Sequence, residues 1–158
     1  MQNKPYENSK NVEIKDFLLK SNTLILQNIN HKRQLFTNLA RLCKNDVKLT
    51  QKEITNHLMS NEINESSGIG NGIAIHNIQH NEISQINGLF LKLLKPIKYN
   101  SIDKEPVDLI FLLLSPSKIK SNHLKILALI SRKLSNNKIR RNIRGTSNIE
   151  SIYSILTM

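Results

Sequence analysis

One segment limits what this chain can fold into. Val107 to Leu114 (VDLIFLLL) follows Pro106, stops at Pro116 and is apolar almost without interruption. It is far shorter than the roughly 20 apolar residues that span a bilayer. An apolar run of this length, bracketed by prolines and lacking polar alternation, reads as a central strand covered on both faces. The chain therefore needs a sheet with helices packed on it.

The flanking patterns supply those parts. Thr23 to Leu26 (TLIL) predicts a short strand, and Ile86 to Leu94 (INGLFLKLL), ending at Pro96, predicts another. In HKRQLFTNLARLC, Leu35, Phe36, Leu39 and Leu42 recur at helical spacing. A second helix is expected from Thr50, where Thr50-x-x-Glu53 has the form of a capping box and Ile54 and Leu58 face inward. The polar stretch Ser60 to Ser67 is expected to break that pattern. SNHLKILALISRKL predicts a helix capped by Ser121 or Asn122, with Leu124, Leu127, Ile130 and Leu134 inward. NNKIRRNIRG predicts a short basic helix ending at Gly145. A last helix is expected from Ser147, capped through Ser147-x-x-Glu150 and docked by Ile152, Ile155 and Leu156. The polar residues 1–13 are expected to be loose, leaving 14–158 as one domain of α/β (α+β) class.

Charge and cysteine narrow the function classes. The 158 residues carry 23 Lys+Arg against 12 Asp+Glu, a formal net charge of +11. Nine of the basic residues lie from Ser117 onward, where Glu150 is the sole acid. Such a field steers acidic or phosphorylated partners. Lys, Asn and Ile are abundant throughout, so composition alone also accounts for the charge. A nucleic-acid partner is disfavoured, because the basic residues are not interleaved with aromatics. Cys43 is the lone cysteine, which excludes an internal disulfide framework and fits a reducing compartment. The start of the chain has no apolar signal core, so a cytoplasmic location without a membrane span is expected.

The segment Gly68 to His80 (GIGNGIAIHNIQH) looks like the wall of a reactive site. Its glycines do not make a dinucleotide fingerprint, because Ile73 stands where the third glycine belongs and the order is helix, turn, strand. No Gly-Lys-Ser/Thr follows, so it is no P-loop either, and a tight positive-φ turn is expected instead. His76 and His80 are four apart but lack the glutamate and the helix of a zinc motif, so no metal is expected, and no cofactor is implied. Asp103 and Asp108 sit around a Pro-bearing turn, where carboxylates satisfy backbone donors. His31 and His57 read as helix-surface residues. His76 and His80 fall where an apolar strand gives way to polar loop. His123 falls in the first turn of a helix, whose N–H groups favour anions. Brought together, a strand-end and a helix-start imidazole would make a phosphoryl-accepting pair, one nitrogen attacking and the other ring donating to the phosphoryl oxygens.

Residues Ser66 to Pro116 closely resemble the IIA domain of the bacterial phosphotransferase system, of the nitrogen-regulatory type related to the mannitol/fructose IIA proteins (EIIA type 2). The resemblance is carried by Ser67-Gly68-Ile69-Gly70-Asn71-Gly72-Ile73-Ala74-Ile75, Gly88-Leu89-Phe90, Lys95-Pro96, Ile102-Asp103 and Pro106-Val107-Asp108-Leu109. Phe111 to Pro116 and His123-Leu124 continue it in order, and it extends more loosely over 14–158. It implies a mixed β-sheet flanked by helices. It also implies a phosphohistidine formed by transfer from a small histidine phosphocarrier protein (HPr/NPr-like), with signalling through regulated protein targets that the sequence does not identify. No IIB or membrane portion accompanies it, so a regulatory member is expected.

The departure lies at the acceptor. The family reads GIAI-Pro-His-Gly and carries the phosphoryl group on that histidine, whereas this chain reads Gly72-Ile73-Ala74-Ile75-His76-Asn77-Ile78. Aligned without a gap, His76 replaces the proline and Asn77 replaces the acceptor, and an amide cannot do an imidazole's nucleophilic work. With the proline deleted and the following loop lengthened, His76 is the acceptor. His80 serves only if the loop folds back. His123 matches the family's second histidine. The resemblance thus gives His76 as candidate acceptor and His123 as the group that orients and neutralises the phosphate. The alternative is a phosphorylation-silent binding module. The two readings differ in geometry, since a live pair requires His76 and His123 to converge on one exposed cleft.

Overall fold

The computed structural model describes residues 11–43 and 47–158. The sheet is built around the apolar run. Val107–Pro116 forms β5, the middle of five strands, with β4 (Asn87–Ile97) on one side and β3 (Ile73–His80) on the other. Outside β4 lies β1 (Leu18–Leu26), and outside β3 lies the short β2 (Gly68–Gly70). The pairs β1–β4 and β3–β5 are parallel, while β4–β5 and β2–β3 are antiparallel, so the sheet is mixed. Leu109 to Leu114 are all buried, as a strand covered on both faces must be.

Two helical layers provide the cover. Helices α1 (Lys32–Cys43) and α2 (Gln51–Asn64) bring Leu35, Phe36, Leu39, Ile54 and Leu58 against Ala74, Ile78 and Leu112. Helices α3 (Lys120–Ser135), α4 (Asn137–Arg144) and α5 (Ile149–Thr157) bring Ile126, Ile130, Ile143 and Ile152 against Ile73, Phe111 and Leu113. Side chains of a strand point alternately to its two faces. In β3 the even-numbered residues therefore face α1 and α2, and the odd-numbered ones face α3.

Several expectations meet the structure differently. The polar stretch after Ser60 does not break α2, which continues to Asn64, because a solvent-facing last turn needs no apolar residue. β4 runs through Pro96 rather than ending before it. The proline falls beyond the last β1 partner, Leu93, and inside an irregularity of the β5 register between Lys92 and Ile97. β1 begins at Leu18, well before Thr23. Helix α3 starts after Ile119 with no side-chain cap, and its inward face is rotated. Leu124 is 68% exposed and Ile126 takes the buried position. α5 is capped not by Ser147 but by Asn148, whose side chain accepts from Ser151 N at 3.0 Å. The Thr50–Glu53 capping box is present as expected. The first ten residues of the segment expected to be loose lie outside the described residues.

The glycine turn is resolved as a two-residue hairpin. Asn71 and Gly72 have φ of 56° and 77°, the pattern of a type I′ turn joining β2 to β3. Asp103 holds the turn by accepting from Asn71 N at 2.9 Å and also accepts from Glu105 N. Asp108 differs from expectation: it pairs with Arg144, whose Nε and Nη2 lie 3.0 and 2.8 Å from its two oxygens.

Candidate functional site

Parity along β3 decides where its polar side chains go. His76 pairs across the ladder with Leu112, whose side chain faces α1 and α2, and it follows that residue inward. It is 4% exposed, with its ring edge against Phe36 at 5.0 Å between centroids. Nε2 meets the hydroxyls of Tyr99 and, at 3.0 Å, Ser67. Ser67 Oγ in turn donates to the Tyr99 hydroxyl at 3.1 Å. With Ser67 O–H donating to Tyr99, a closed arrangement has Tyr99 O–H donating to an unprotonated Nε2. That arrangement occupies the Nε2 lone pair.

The web continues below. The Glu62 carboxylate accepts from Lys32 Nζ at 2.7 Å, from Ser67 N at 3.1 Å and from Ser66 Oγ at 3.2 Å. Lys32 also lies over the Tyr99 ring, 4.6 Å from its centroid. Burial alone would raise the Glu62 pKa, but the Lys32 and Ser67 hydrogen bonds outweigh it and hold the carboxyl below its usual range. Burial drives His76 down to about 4, a shift that the Glu62 charge opposes only in part. The imidazole is therefore neutral at pH 7. Burial pushes Tyr99 up, so its hydroxyl stays protonated and able to donate.

His123 belongs to the other layer. It is 5% exposed, and its Nδ1 lies 2.6 Å from Ser115 Oγ. Burial lowers its pKa. Ser115 stands two residues beyond Leu113 on the same face of β5, and Leu113 is the ladder partner of Asn77. Asn77 and His123 thus share the α3 side of the sheet, whereas His76 is on the α1–α2 side. The convergence of His76 and His123 expected from sequence does not occur, because one residue of offset in a strand reverses the side chain. His80 has the parity of His76. Its Nδ1 accepts from Glu82 N at 3.0 Å and its ring edge meets His57 at 5.3 Å between centroids.

A cleft of about 360 Å³ opens along the β3 edge that β2 leaves unpaired. Asn61, Glu62, Glu65, Ile69, His76 and Asn77 are among its lining residues, and Asn61 Nδ2 donates to Asn77 O at 3.2 Å. No lysine or arginine lines it. With two carboxylates and a neutral imidazole, the cleft offers a phosphoryl group no compensating positive charge. Among the described residues, no group of three or more His, Cys, Asp or Glu could hold a metal ion, and no helix is long and apolar enough to cross a membrane. Sequence reasoning did not find Tyr99, Glu62 or Lys32, because they join His76 from three different elements and carry no local motif.

The model of the family described as phosphoenolpyruvate-dependent sugar phosphotransferase system, EIIA 2, matches residues 16–158. The chain belongs to that family. It is 33% identical over 130 residues to a nitrogen regulatory protein of Bradyrhizobium diazoefficiens, covering 82% of this chain and 85% of the relative. It is 32% identical over 127 residues to a nitrogen regulatory protein of Escherichia coli, covering 80% and 78%. The crystal structure of nitrogen regulatory protein IIA-Ntr from Neisseria meningitidis superposes with a TM-score of 0.86 at 30% identity, covering 91% of this chain and 99% of that one. The mannitol IIA of Escherichia coli, at 10% identity and a TM-score of 0.73 over 88% and 99% of the two chains, shares the fold. This member of the EIIA type-2 family carries Asn77 on the α3 face and turns His76 away from it.

Proposed function

We propose that this chain is a nitrogen-type IIA regulator that acts by binding partner proteins, and that its acceptor position takes no phosphoryl group. The observation that carries the reading is the burial of His76 between Tyr99 and Ser67, on the face opposite His123. A phosphoryl acceptor needs a free lone pair facing solvent and the donor protein. Asn77, on the correct side, offers an amide whose nitrogen lone pair is delocalised into its carbonyl. The acidic lining of the cleft supports the same reading. The protein would then keep the shape of a IIA regulator without responding to the state of a phosphocarrier.

A second reading remains the phosphocarrier itself, with His76 accepting from an HPr/NPr-like protein and His123 assisting. It is favoured by the neutrality of His76, which leaves an unprotonated nitrogen at pH 7, and by its place on the wall of an open cleft. One assay separates the two. The protein is incubated with labelled phosphoenolpyruvate, enzyme I and the matched phosphocarrier, and an acid-labile adduct is sought. No adduct is expected. An adduct lost in His76→Ala establishes the phosphocarrier reading, and one that survives that change moves the acceptor to His80 or His123.

A further inference from the structure

The C-terminal layer carries a second feature that the Asn77 cleft does not use. A groove of about 300 Å³ lies between α3 and α4, lined by Leu129, Arg132, Lys133, Asn136 and Ile139. At 100° per residue, Lys125, Leu129, Arg132 and Lys133 fall on one stripe of α3, and Asn136 follows as its C-cap. Leu129 and Ile139 are only partly buried and form its apolar floor. Arg132 lines it and is exposed, as are Lys125, one turn before Leu129 on the same stripe of α3, and Lys138, next to Ile139 in sequence. Among the described residues, ion pairs involve Lys15, Lys20, Lys32 and Arg144, none of which lines this groove. Glu150 is the sole acid from Ser117 onward, and it is drawn toward Lys20, 3.5 Å away. No Asp or Glu among the described residues lines the groove; of its two lining cations, Lys133 donates to Met158 O and Arg132 is exposed.

We propose that the α3–α4 groove is a docking site for an acidic amphipathic segment of a partner protein, its apolar side chains on Leu129 and Ile139 and its carboxylates on Lys125 and Arg132. Charge complementarity selects the sign of the occupant. The apolar floor selects its class: a helix laid in a groove presents apolar residues on one face and acids on the other, which a phosphate backbone cannot do. No aromatic lies between Phe111 and Tyr153, so the face has no platform for stacking bases. The site lies more than a turn of α3 beyond His123 and does not depend on whether the cleft at Asn77 is phosphorylated.

The probe is a synthetic helical peptide of about 15 residues with leucine on one face and glutamate on the other, titrated into the full chain at physiological salt. Binding should perturb the amide signals of Leu129 and Ile139. It should weaken by about tenfold or more in Lys125→Glu/Arg132→Glu, whose side chains are exposed and whose replacement leaves the unfolding midpoint in place. Arg41→Glu/Lys52→Glu makes the same change in net charge on the opposite layer and should alter binding by less than about twofold. Equal binding of polyglutamate would show that charge alone acts and overturn the proposal. So would tighter binding of a single-stranded oligonucleotide, or self-association lost in Leu129→Gln, which would assign the groove to a second copy. Absence of binding by the amphipathic peptide also overturns it.

Discussion

His76 and Asn77 are consecutive in β3 and face opposite layers of the molecule: His76 pairs with Leu112 toward α1 and α2, and Asn77 with Leu113 toward α3. In a loop, a histidine one place early could swing into register. In a strand it cannot, because the ladder to β5 holds from Ile73 to His80 and fixes the side of each residue.

Moving the imidazole across the sheet is therefore the direct test of the site. Asn77→His should accept label from the phosphocarrier at least about tenfold above the wild-type background. The label should disappear in Asn77→His/His123→Ala. A folded Asn77→His that stays unlabelled would count against Asn77 as the acceptor position.

The buried imidazole also predicts a pH dependence. His76 has its native pKa lowered to about 4 from an ordinary 6.5. Between those values the unfolded chain binds the proton and the native one does not, so stability falls as pH drops from 6.5 toward 4 and levels off below. The full effect is about 3 kcal/mol. Urea midpoints at pH 7, 6 and 5 should decline less steeply in His76→Gln than in the wild type. Parallel slopes would mean that His76 titrates normally.

Lys92 is a structural cation. It is 6% exposed, and its Nζ donates to Ile143 O, Arg144 O and Thr146 O at 3.1, 2.9 and 2.7 Å, closing the carbonyl end of α4. Burial lowers its pKa, against the pull of Asp108. Lys92→Met keeps the aliphatic stem but strands three carbonyls, and should cost about 2–4 kcal/mol. Chemical denaturation reads this directly, and a loss under about 0.5 kcal/mol would refute the capping role.

Gly72 is required by its turn and by its neighbours. At φ 77° a Cβ would stand 2.8 Å from Asp108 Oδ1 and crowd Arg144 Nη2. Gly72→Ala should lower stability by about 1–3 kcal/mol. Thermal unfolding of Gly72→Ala beside Asp108→Ala separates backbone strain from loss of the ion pair. An unchanged midpoint in Gly72→Ala would show that the hairpin relaxes freely.

Much of this molecule was legible in residue order. The prolines around Val107–Leu114 gave the central strand, Thr50 and Glu53 gave the start of α2, and GIGNGIAI gave the family. Errors arose where the signal is polar or long-range. The last turn of α2 is solvated and looked like loop, although it supplies Glu62. Pro96 sits in β4 because the ladder there is irregular, which no local pattern reveals. The phase of α3 is set by docking on β5, so Leu124 points out where its spacing suggested in.

The sequence by itself determined that the acceptor motif departs from the family's, with His76-Asn77 where Pro-His is expected, and that His76 and His123 are both present. Only the tertiary structure placed His76 and His123 on opposite faces of the sheet. Strand side chains alternate, and the sheet separates what alternation sends to its two faces. Burial by α1 and α2, together with Tyr99 and Ser67, then commits His76 to the core.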